Sequence, residues 1–165
     1  MKYNNELKKA FQVSIPVMMG YSVLGFAFGL LLVSFEYSWY LAPLMSLFIY
    51  AGALQFVAIS FFNVKAGMVD IAIASWFINI RQSFYGLSLL KRFKDTGKFK
   101  TYLIFGLTDE TYALLTTIKD DESLNKRWYY FFLTALNQSY WFMGSTLGAI
   151  IGLNIKFNTA GLEFS

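Results

Sequence analysis

The sequence predicts an all-α integral membrane protein with about five hydrophobic spans, one of them re-entrant or discontinuous. Of its 165 residues, 56% are hydrophobic and 15% are charged, whereas soluble domains carry about 25% charged residues. Residues 10–35, 37–64 and 128–155 contain no Asp, Glu, Lys or Arg. Each of these stretches exceeds the roughly 20 residues that a helix needs to cross a bilayer. Residues 1–165 are therefore interpreted as a single transmembrane domain.

The composition also excludes several kinds of chemistry. The chain has no cysteine and no histidine, which removes disulfides, thiolate catalysis, most zinc and haem sites and a histidine proton relay. We therefore expect neither a metal nor another cofactor. The net charge of +4 indicates short basic loops near lipid headgroups, and nucleic-acid binding is not inferred from it. The first apolar run is too long for a signal-peptide core and is expected to be retained.

The first predicted span covers residues 11–33 and is rich in small residues. Gly25 and Gly29 form a small-xxx-small pair that lets another helix approach closely. The alternative is a local break between Pro16 and Gly20 beside a binding cavity.

The second predicted span covers residues 39–64 and carries an amide in its middle. Gln55 lies ten residues before Lys65, which places it roughly 15 Å from that end of an ideal helix. Gly52 is flanked by two alanines. This pattern is typical either of a tightly packed helix crossing or of the unwound point in a discontinuous helix.

The third predicted span, residues 68–90, contains an arginine in the middle of an apolar segment. Arg81 lies ten residues before Lys91, or roughly 15 Å along a helix. A guanidinium at that depth costs about 3 kcal/mol on insertion scales and needs an internal partner or water. Asn79 and Gln82 lie beside it on the same helix.

The fourth predicted span, residues 101–118, is interrupted by polar residues that supply this partner. Asp109 lies nine residues after Lys100, so a helical hairpin brings it and Glu110 to nearly the depth of Arg81. Thr108 precedes the two carboxylates. The sequence therefore predicts an ion pair between Arg81 and this acidic pair.

The fifth predicted span, residues 128–153, places two amides near the same level. Asn137 and Gln138 lie about ten residues past Arg127. The span ends in a ridge of small residues suited to close helix contact: Gly144, Gly148 and Gly152.

The loop charges conflict with five simple crossings. Residues 91–100 include five basic residues, which predicts a cytoplasmic position, but three crossings from a cytoplasmic N-terminus would place them outside. One non-crossing segment is expected to remove the conflict. The first choice is a re-entrant pair of half-helices around Gly52, and the second is a break at Asp109 and Glu110.

Four segments thus bring polar side chains to one level, which favours a central site or pathway. Charges of both signs between apolar walls suit a zwitterion, with its carboxylate on Arg81 or a half-helix N-terminus and its ammonium on Asp109 or Glu110. An anion or cation pathway fits the charge count equally, and a deep carboxylic acid can also carry a proton in exchange for substrate. The predicted substrate-binding or coupling residues are Gln55, Asn79, Arg81, Gln82, Thr108, Asp109, Glu110, Asn137 and Gln138.

Several short motifs follow one another along essentially the whole chain: Ser14-Ile15-Pro16-Val17, Tyr50-Ala51-Gly52-Ala53, Asn79-Ile80-Arg81 and Leu107-Thr108-Asp109-Glu110. This ordered set resembles the AzlC-type large subunit of branched-chain amino acid exporters, the azaleucine-resistance permeases of bacteria. The resemblance implies a multi-pass secondary transporter of the bacterial inner membrane. It also implies export of leucine, isoleucine, valine and in some members methionine, together with a small AzlD-type membrane subunit.

The chain departs from the pattern of that family in two ways. Gln82 stands where the family commonly has histidine after the Asn-x-Arg motif, so any proton role of that histidine is absent. The family is also usually longer, with further spans after residues 161–164, and this chain is expected to lack those last spans.

Two other functions compete with transport. A membrane-embedded aspartyl enzyme needs a second aspartate from another helix, and the remaining candidate, Asp70, lies near a segment end; we therefore expect no enzyme. The other alternative is a non-transporting scaffold or channel subunit in which the pair of Arg81 with a carboxylate only locks helices together. The glycine ridges also permit a homo-oligomer.

Overall fold

The computed structural model describes residues 3–117 and 123–155, and this part of the chain consists of helices and short connections. The long helices are α1 (Asn4–Ser34), α4 (Met68–Leu89) and α7 (Lys126–Gly152). Two pairs of short helices lie between them: α2 (Leu41–Phe48) with α3 (Gly52–Asn63), and α5 (Lys100–Phe105) with α6 (Asp109–Thr117). A 3-10 helix, Lys94–Phe99, precedes α5.

Helices α1 and α7 run parallel and form the main contact of the fold. Where both begin, Tyr3 stacks on Trp128 with ring centroids 4.7 Å apart. Where both end, Gly152 lies against Val33. We call the end at which α1 and α7 begin the proximal end of the bundle and the opposite end the distal end.

The α1–α7 contact is close because glycines on the two helices face each other's backbone. A Cβ on Gly148 would overlap the carbonyl oxygen of Phe26, and one on Gly29 would overlap that of Ser145. Backbone atoms cannot move aside as a flexible side chain can, so these positions accept only glycine at this spacing. Gly25 and Gly144 lie in the same contact, with the nearest backbone oxygens 3.0 Å and 2.9 Å from their Cβ positions.

The alternative of a local break between Pro16 and Gly20 is wrong, and Gly20 makes no close helix contact within the described residues. Helix α1 continues through Pro16, and no atom lies within 4 Å of a Cβ placed on Gly20. A proline ring needs space over the preceding helical turn, which an exposed face provides. Both residues are exposed on the outside of the helix.

Helices α2 and α3 form a broken pair, and α2 runs from the distal end toward the middle of α7. The Ser46 and Ser145 hydroxyl oxygens are 2.7 Å apart, and Gln138 donates a hydrogen bond of 3.3 Å to the carbonyl of Leu47. The break follows at Tyr50, which has a φ of +43°. This left-handed residue ends α2 and turns the chain, a role that glycine usually fills.

Helix α3 then returns to the distal end. Phe56 packs edge-on against Phe28 at 5.6 Å, and further along α3 Phe62 packs against Tyr37 at 5.7 Å. Because Tyr37 comes just after α1, the pair leaves the bundle on the side where it entered. The break predicted around Gly52 is therefore present, and its two half-helices enter and leave at the same end of the bundle.

Helix α4 runs from the distal to the proximal end, antiparallel to α1. After its last turn, Arg92 donates a 2.9 Å hydrogen bond to the Tyr130 hydroxyl, and Phe93 packs edge-on against the Tyr130 ring at 5.8 Å. Tyr130 belongs to the second turn of α7, which fixes the end of α4 at the proximal side.

Helices α5 and α6 form a second broken pair, which enters from the proximal end. Phe99, just before α5, stacks on Phe131 at 4.5 Å, and α5 then leads inward to Tyr102, whose hydroxyl donates 2.8 Å to Gln138. Helix α6 returns along α4, where Tyr112 stacks on Tyr85 at 4.2 Å. The two broken pairs thus enter from opposite ends of the bundle.

The described part of the chain contains two broken helix pairs, where one was predicted. The break at Gly52 moves residues 91–100 to the side of the N-terminus. A break at Asp109 alone could not do so, because it follows them in the chain. Both breaks occur, and the second is needed to bring the start of α7 back to the proximal end. The described residues thus repeat one order twice, α1 with α2–α3 and α4 with α5–α6 in inverted orientation, and α7 follows.

The all-α fold class is confirmed for the described residues, but the count of five spans is not. By length and composition alone, α1 is the one helix among them that is long and apolar enough to cross a membrane. The end of the fourth predicted span at residue 118, and residues 161–164, lie outside the described residues.

The apolar core divides into two clusters around α7. The distal cluster includes Phe28, Leu32 and Ile59, and the proximal cluster includes Leu103 and Leu133. The level between the clusters is where both broken pairs turn: Tyr50 and Phe105 approach to 6.3 Å between ring centroids. Polar side chains gather at this level.

Candidate functional site

A cavity of about 260 Å³ lies where the two breaks meet, between α1, α3, α4, α6 and α7. This volume is close to the lower end of the range for small-molecule sites, roughly 300 Å³. Six of the nine predicted binding or coupling residues line it: Asn79, Arg81, Gln82, Thr108, Asp109 and Glu110.

The ion pair predicted by counting depth is present at this cavity. Arg81 Nη1 lies 2.8 Å from Asp109 Oδ2, and the two side chains are 48% and 39% exposed. Asp109 is the first residue of α6, where a carboxylate is stabilised by the helix dipole. Its other oxygen, Oδ1, is buried and has no hydrogen-bond partner among the described residues. The Tyr85 hydroxyl lies beside this carboxylate as well.

Glu110 is held by a tyrosine from α1. The Tyr21 hydroxyl donates to Glu110 Oε2 at 2.5 Å and lies 2.7 Å from Thr108 Oγ1. Thr108 is in turn 3.1 Å from the hydroxyl of Thr111, which accepts a 3.0 Å bond from Asn137. A continuous polar chain therefore fixes the orientation of Glu110 from α7 through α6 to α1.

The N-terminus of α3 forms the opposite wall. The helix begins at Gly52, and its N-cap residue, Ala51, provides no side-chain hydrogen bond. The first-turn N–H groups of a helix have no partner within the helix. Gly52 and Ala53 line the cavity, so these donors lie at its edge.

Tyr50 adds an unusual hydroxyl to the same wall. Its side chain is 3% exposed and lines the cavity, yet its hydroxyl has no hydrogen-bond partner among the described residues. The hydroxyls of Tyr21 and Thr108 lie beside it, but neither contact has the distance and angle of a normal hydrogen bond. Buried polar atoms are almost always hydrogen-bonded, and an exception at a cavity marks a place for a missing partner.

Trp141 supplies the apolar side of the cavity and is locked in place. Its indole Nε1 donates a 2.8 Å bond to Gln55 Oε1, and Tyr21 meets its ring edge-on at 5.3 Å. A Cβ on Gly52 would lie 3.0 Å from the indole Cη2. The absence of a side chain at Gly52 therefore lets the indole lie directly against the start of α3.

Three predicted site residues lie at the expected level but do not line the cavity. Gln55 is buried and supports Trp141, and Asn137 bonds Thr111. Gln138 accepts from Tyr102 and donates to carbonyls at the end of α2. Counting along a helix gives the depth of a residue and leaves open which way its side chain points.

The apolar and aromatic lining was missed from the sequence. Trp141 follows Asn137 by one helical turn and so shares its face, a periodicity that could have identified it. Tyr50 precedes the predicted break by two residues. These two side chains complete the wall with Tyr21, Leu24 and Phe56.

The cavity as a whole suits a small ligand with both signs of charge. Its polar groups are carboxylates at the start of α6 and N–H and O–H donors at the start of α3, and Leu24, Phe56 and Trp141 add apolar surface. Within the described residues, no group of three metal-ligating side chains occurs.

A family model and the similar proteins identify the same family. The family model described as AzlC protein matches residues 16–155. The chain is 43% identical to an uncharacterized membrane protein of Helicobacter pylori, over 95% of this chain and 69% of that protein. It is 38% identical to the branched-chain amino acid transport protein AzlC of Bacillus subtilis, over 95% of this chain and 62% of that protein.

A more distant relative is the inner membrane protein YgaZ of Escherichia coli. It is 31% identical over 84% of this chain and 58% of its own length. This chain therefore spans about two thirds of the length of the relatives described here. No solved structure matches it.

Proposed function

The chain belongs to the AzlC family, and we propose that it acts as the large subunit of a secondary transporter that exports branched-chain amino acids. The name of the Bacillus subtilis relative supports this substrate class. We extend the proposal to leucine, isoleucine and valine, with methionine as a further substrate of similar size and polarity.

The observation that carries the proposal is the cavity at the meeting point of the two broken pairs. Transporters commonly bind substrate between inverted repeats, where half-helices end near the bilayer midplane. Here the N-termini of α3 and α6 both reach one cavity, and its lining combines Arg81 with Asp109 and Glu110. Such a site matches a zwitterion with an apolar side chain.

We propose that the chain forms a single multi-pass domain in the bacterial inner membrane with its proximal end in the cytoplasm. Lys8, Lys9 and the five basic residues among 91–100 lie at that end, whereas the distal end carries Glu36 and Lys65. This asymmetry agrees with the positive-inside rule. Helices α1, α4 and α7 would then cross the bilayer, and the broken pairs would enter it from opposite sides.

Alternating access is proposed to arise between the two inverted units, α1–α3 and α4–α6. The bond between Tyr21 of α1 and Glu110 of α6 crosses this boundary, whereas the ion pair between Arg81 and Asp109 lies within the second unit. Movement of one unit against the other would expose the cavity at one end and then at the other. Glu110 and Asp109 are the candidates for coupling substrate movement to a proton or ion.

A small AzlD-type membrane subunit is the proposed partner. Helix α4 has only Gly86 and Leu89 fully buried, and one part of its surface carries exposed large apolar side chains, including Met68, Trp76 and Phe77. A surface of this kind fits lipid or another membrane helix. A second copy of this chain is the alternative occupant.

The proposal is tested by efflux of labelled leucine from proteoliposomes, with and without the small subunit. We expect Arg81→Ala and Asp109→Asn to reduce efflux strongly, because each removes one partner of the ion pair at the cavity. The matched control is Asp95→Asn, an exposed aspartate in the 3-10 helix, which should transport as the wild type does. Wild-type efflux by both cavity variants would mean that the pair only locks helices together.

A further inference from the structure

The polar groups of the cavity separate into two poles on opposite half-helices. The acidic pole, at the start of α6, consists of Asp109 and Glu110. The donor pole, at the start of α3, consists of the Tyr50 hydroxyl and the first-turn N–H groups of Gly52 and Ala53. An amino acid has the same two poles, one carboxylate and one ammonium, which raises the question of how it is oriented.

The donor pole contains groups without partners. Helix α3 has twelve residues and no side-chain cap, and its first-turn donors are reinforced by the helix dipole. The Tyr50 hydroxyl is a side-chain group separate from the helix end. It is buried beside the hydroxyls of Tyr21 and Thr108 and makes no hydrogen bond of normal geometry within the described residues. The first-turn N–H groups and the Tyr50 hydroxyl can therefore both donate to a ligand. A carboxylate accepts such bonds, and they are strengthened by its charge.

The acidic pole is arranged to receive a donor. Glu110 is oriented by the Tyr21 hydroxyl through one oxygen, and Asp109 Oδ1 is buried without a partner among the described residues. An ammonium group has three N–H donors and no acceptor, so it matches these oxygens.

Arg81 is engaged by the same acidic pole. Its Nη1 contacts Asp109 Oδ2 at 2.8 Å, so one side of the guanidinium is occupied by a carboxylate of the protein. A substrate carboxylate at Arg81 would compete with that pair and would approach the oxygens of Asp109. The first-turn N–H groups of α3 form no such ion pair and offer a carboxylate site without this competition, and the Tyr50 hydroxyl, which lies near the hydroxyls of Tyr21 and Thr108, adds a donor beside them.

We propose that the amino acid binds with its carboxylate on the first turn of α3 and the Tyr50 hydroxyl, and with its ammonium on Glu110 and Asp109. The side chain then lies against Leu24, Phe56 and Trp141. This orientation rests on the proposed function, since it assumes that a free amino acid is the ligand. It assigns Arg81 to positioning Asp109 and gives Tyr50 a direct contact with substrate.

The test measures the affinity of the purified full chain for three probes by calorimetric titration. L-leucine carries both charged groups, L-leucinamide lacks the carboxylate, and 4-methylpentanoate lacks the ammonium. Tyr50→Phe should weaken leucine by about tenfold or more, equivalent to roughly 1.4 kcal/mol. It should weaken leucinamide by less than about threefold, because a bond to a neutral carbonyl is about half as strong.

Glu110→Gln should show the complementary pattern. It keeps an acceptor for Tyr21 but removes the charge, so leucine and leucinamide should both weaken while 4-methylpentanoate changes little. The matched control is Tyr40→Phe, an exposed tyrosine outside the cavity, which should bind all probes as the wild type does. Unfolding of each variant without ligand verifies the fold.

Equal weakening of leucine and leucinamide by Tyr50→Phe would overturn the orientation and leave the proposed function standing. Wild-type protein alone provides a second test if a variant does not fold. Leucinamide binding as tightly as leucine to the wild type would also overturn the carboxylate pole. Failure of the wild type to bind leucine, isoleucine or valine would instead refute the proposed function itself.

Discussion

Substituting Gly148 with alanine should separate α1 from α7, because the new methyl group would overlap the backbone of Phe26. Overpacking of this kind typically costs about 1–3 kcal/mol of stability. A value of about 3 kcal/mol is expected here, because the contacted atoms belong to the backbone and cannot rotate away. Alanine regains about 1 kcal/mol of helix propensity. The expected net destabilisation is therefore roughly 2 kcal/mol.

Gly20→Ala provides the matched control on the same helix pair. No atom lies within 4 Å of its Cβ position, so only the propensity gain remains, and stability should rise by about 0.5–1 kcal/mol. The assay is reversible unfolding in mixed detergent micelles, with both variants compared with the wild type. If Gly148→Ala is as stable as Gly20→Ala, the close parallel contact of α1 and α7 is not present in the protein.

Three further predictions concern the fold and the wall of the cavity. Gln55→Leu removes the acceptor of the Trp141 indole and should destabilise the protein by about 1–3 kcal/mol, with a changed tryptophan emission spectrum as a second measure; an unchanged unfolding midpoint would contradict it. Gly106→Ala should also destabilise, because its Cβ would overlap the Thr134 methyl group, whereas Gly106→Ala combined with Thr134→Ser should recover part of the loss in the same unfolding assay. The chain has no cysteine, so a single introduced cysteine reports which side of the membrane it lies on. Ser38→Cys and Lys65→Cys should react with an impermeant maleimide from one side of the membrane, and Asp95→Cys from the other. Labelling of Lys65→Cys on the same side as Asp95→Cys would refute the re-entrant α2–α3 pair.

Counting depth from charged loops identified the partner of Arg81. This worked because Arg81 and Asp109 lie on segments joined by the loop from which both were counted, so errors in the position of that loop cancel. The break at Gly52 was also predicted, since a glycine between alanines beside a buried amide marks weak helix. These inferences use information that is local in the sequence.

The direction of side chains around a helix was not predictable in the same way. Gln55, Asn137 and Gln138 lie at the right level but bond to Trp141, Thr111 and Tyr102 instead of lining the cavity. Which face of a helix is turned inward depends on the helices that pack against it. Positions counted along one segment do not identify those neighbouring helices. For the same reason, the positions of Tyr50 and Trp141 at the cavity were not predicted from the sequence.

The number of re-entrant pairs also depended on information outside any one segment. The positive charge of residues 91–100 predicts the first break, because that break decides on which side these residues lie. The second break follows residues 91–100 in the chain, so their charge carries no information about it. Only the parallel contact of α1 and α7, set by glycines more than a hundred residues apart in sequence, shows that the second pair must turn back as well.

The central claim, that a branched-chain amino acid occupies the cavity between the two breaks, is tested most directly by substrate protection of a thiol placed there. Ala53 lines the cavity in the first turn of α3, and Ala53→Cys would be the only cysteine in the chain. Leucine should slow its reaction with a maleimide in a concentration-dependent way, whereas lysine should not, and Lys65→Cys outside the cavity should react equally with and without leucine. Unchanged labelling of Ala53→Cys at leucine concentrations that saturate efflux would contradict the account.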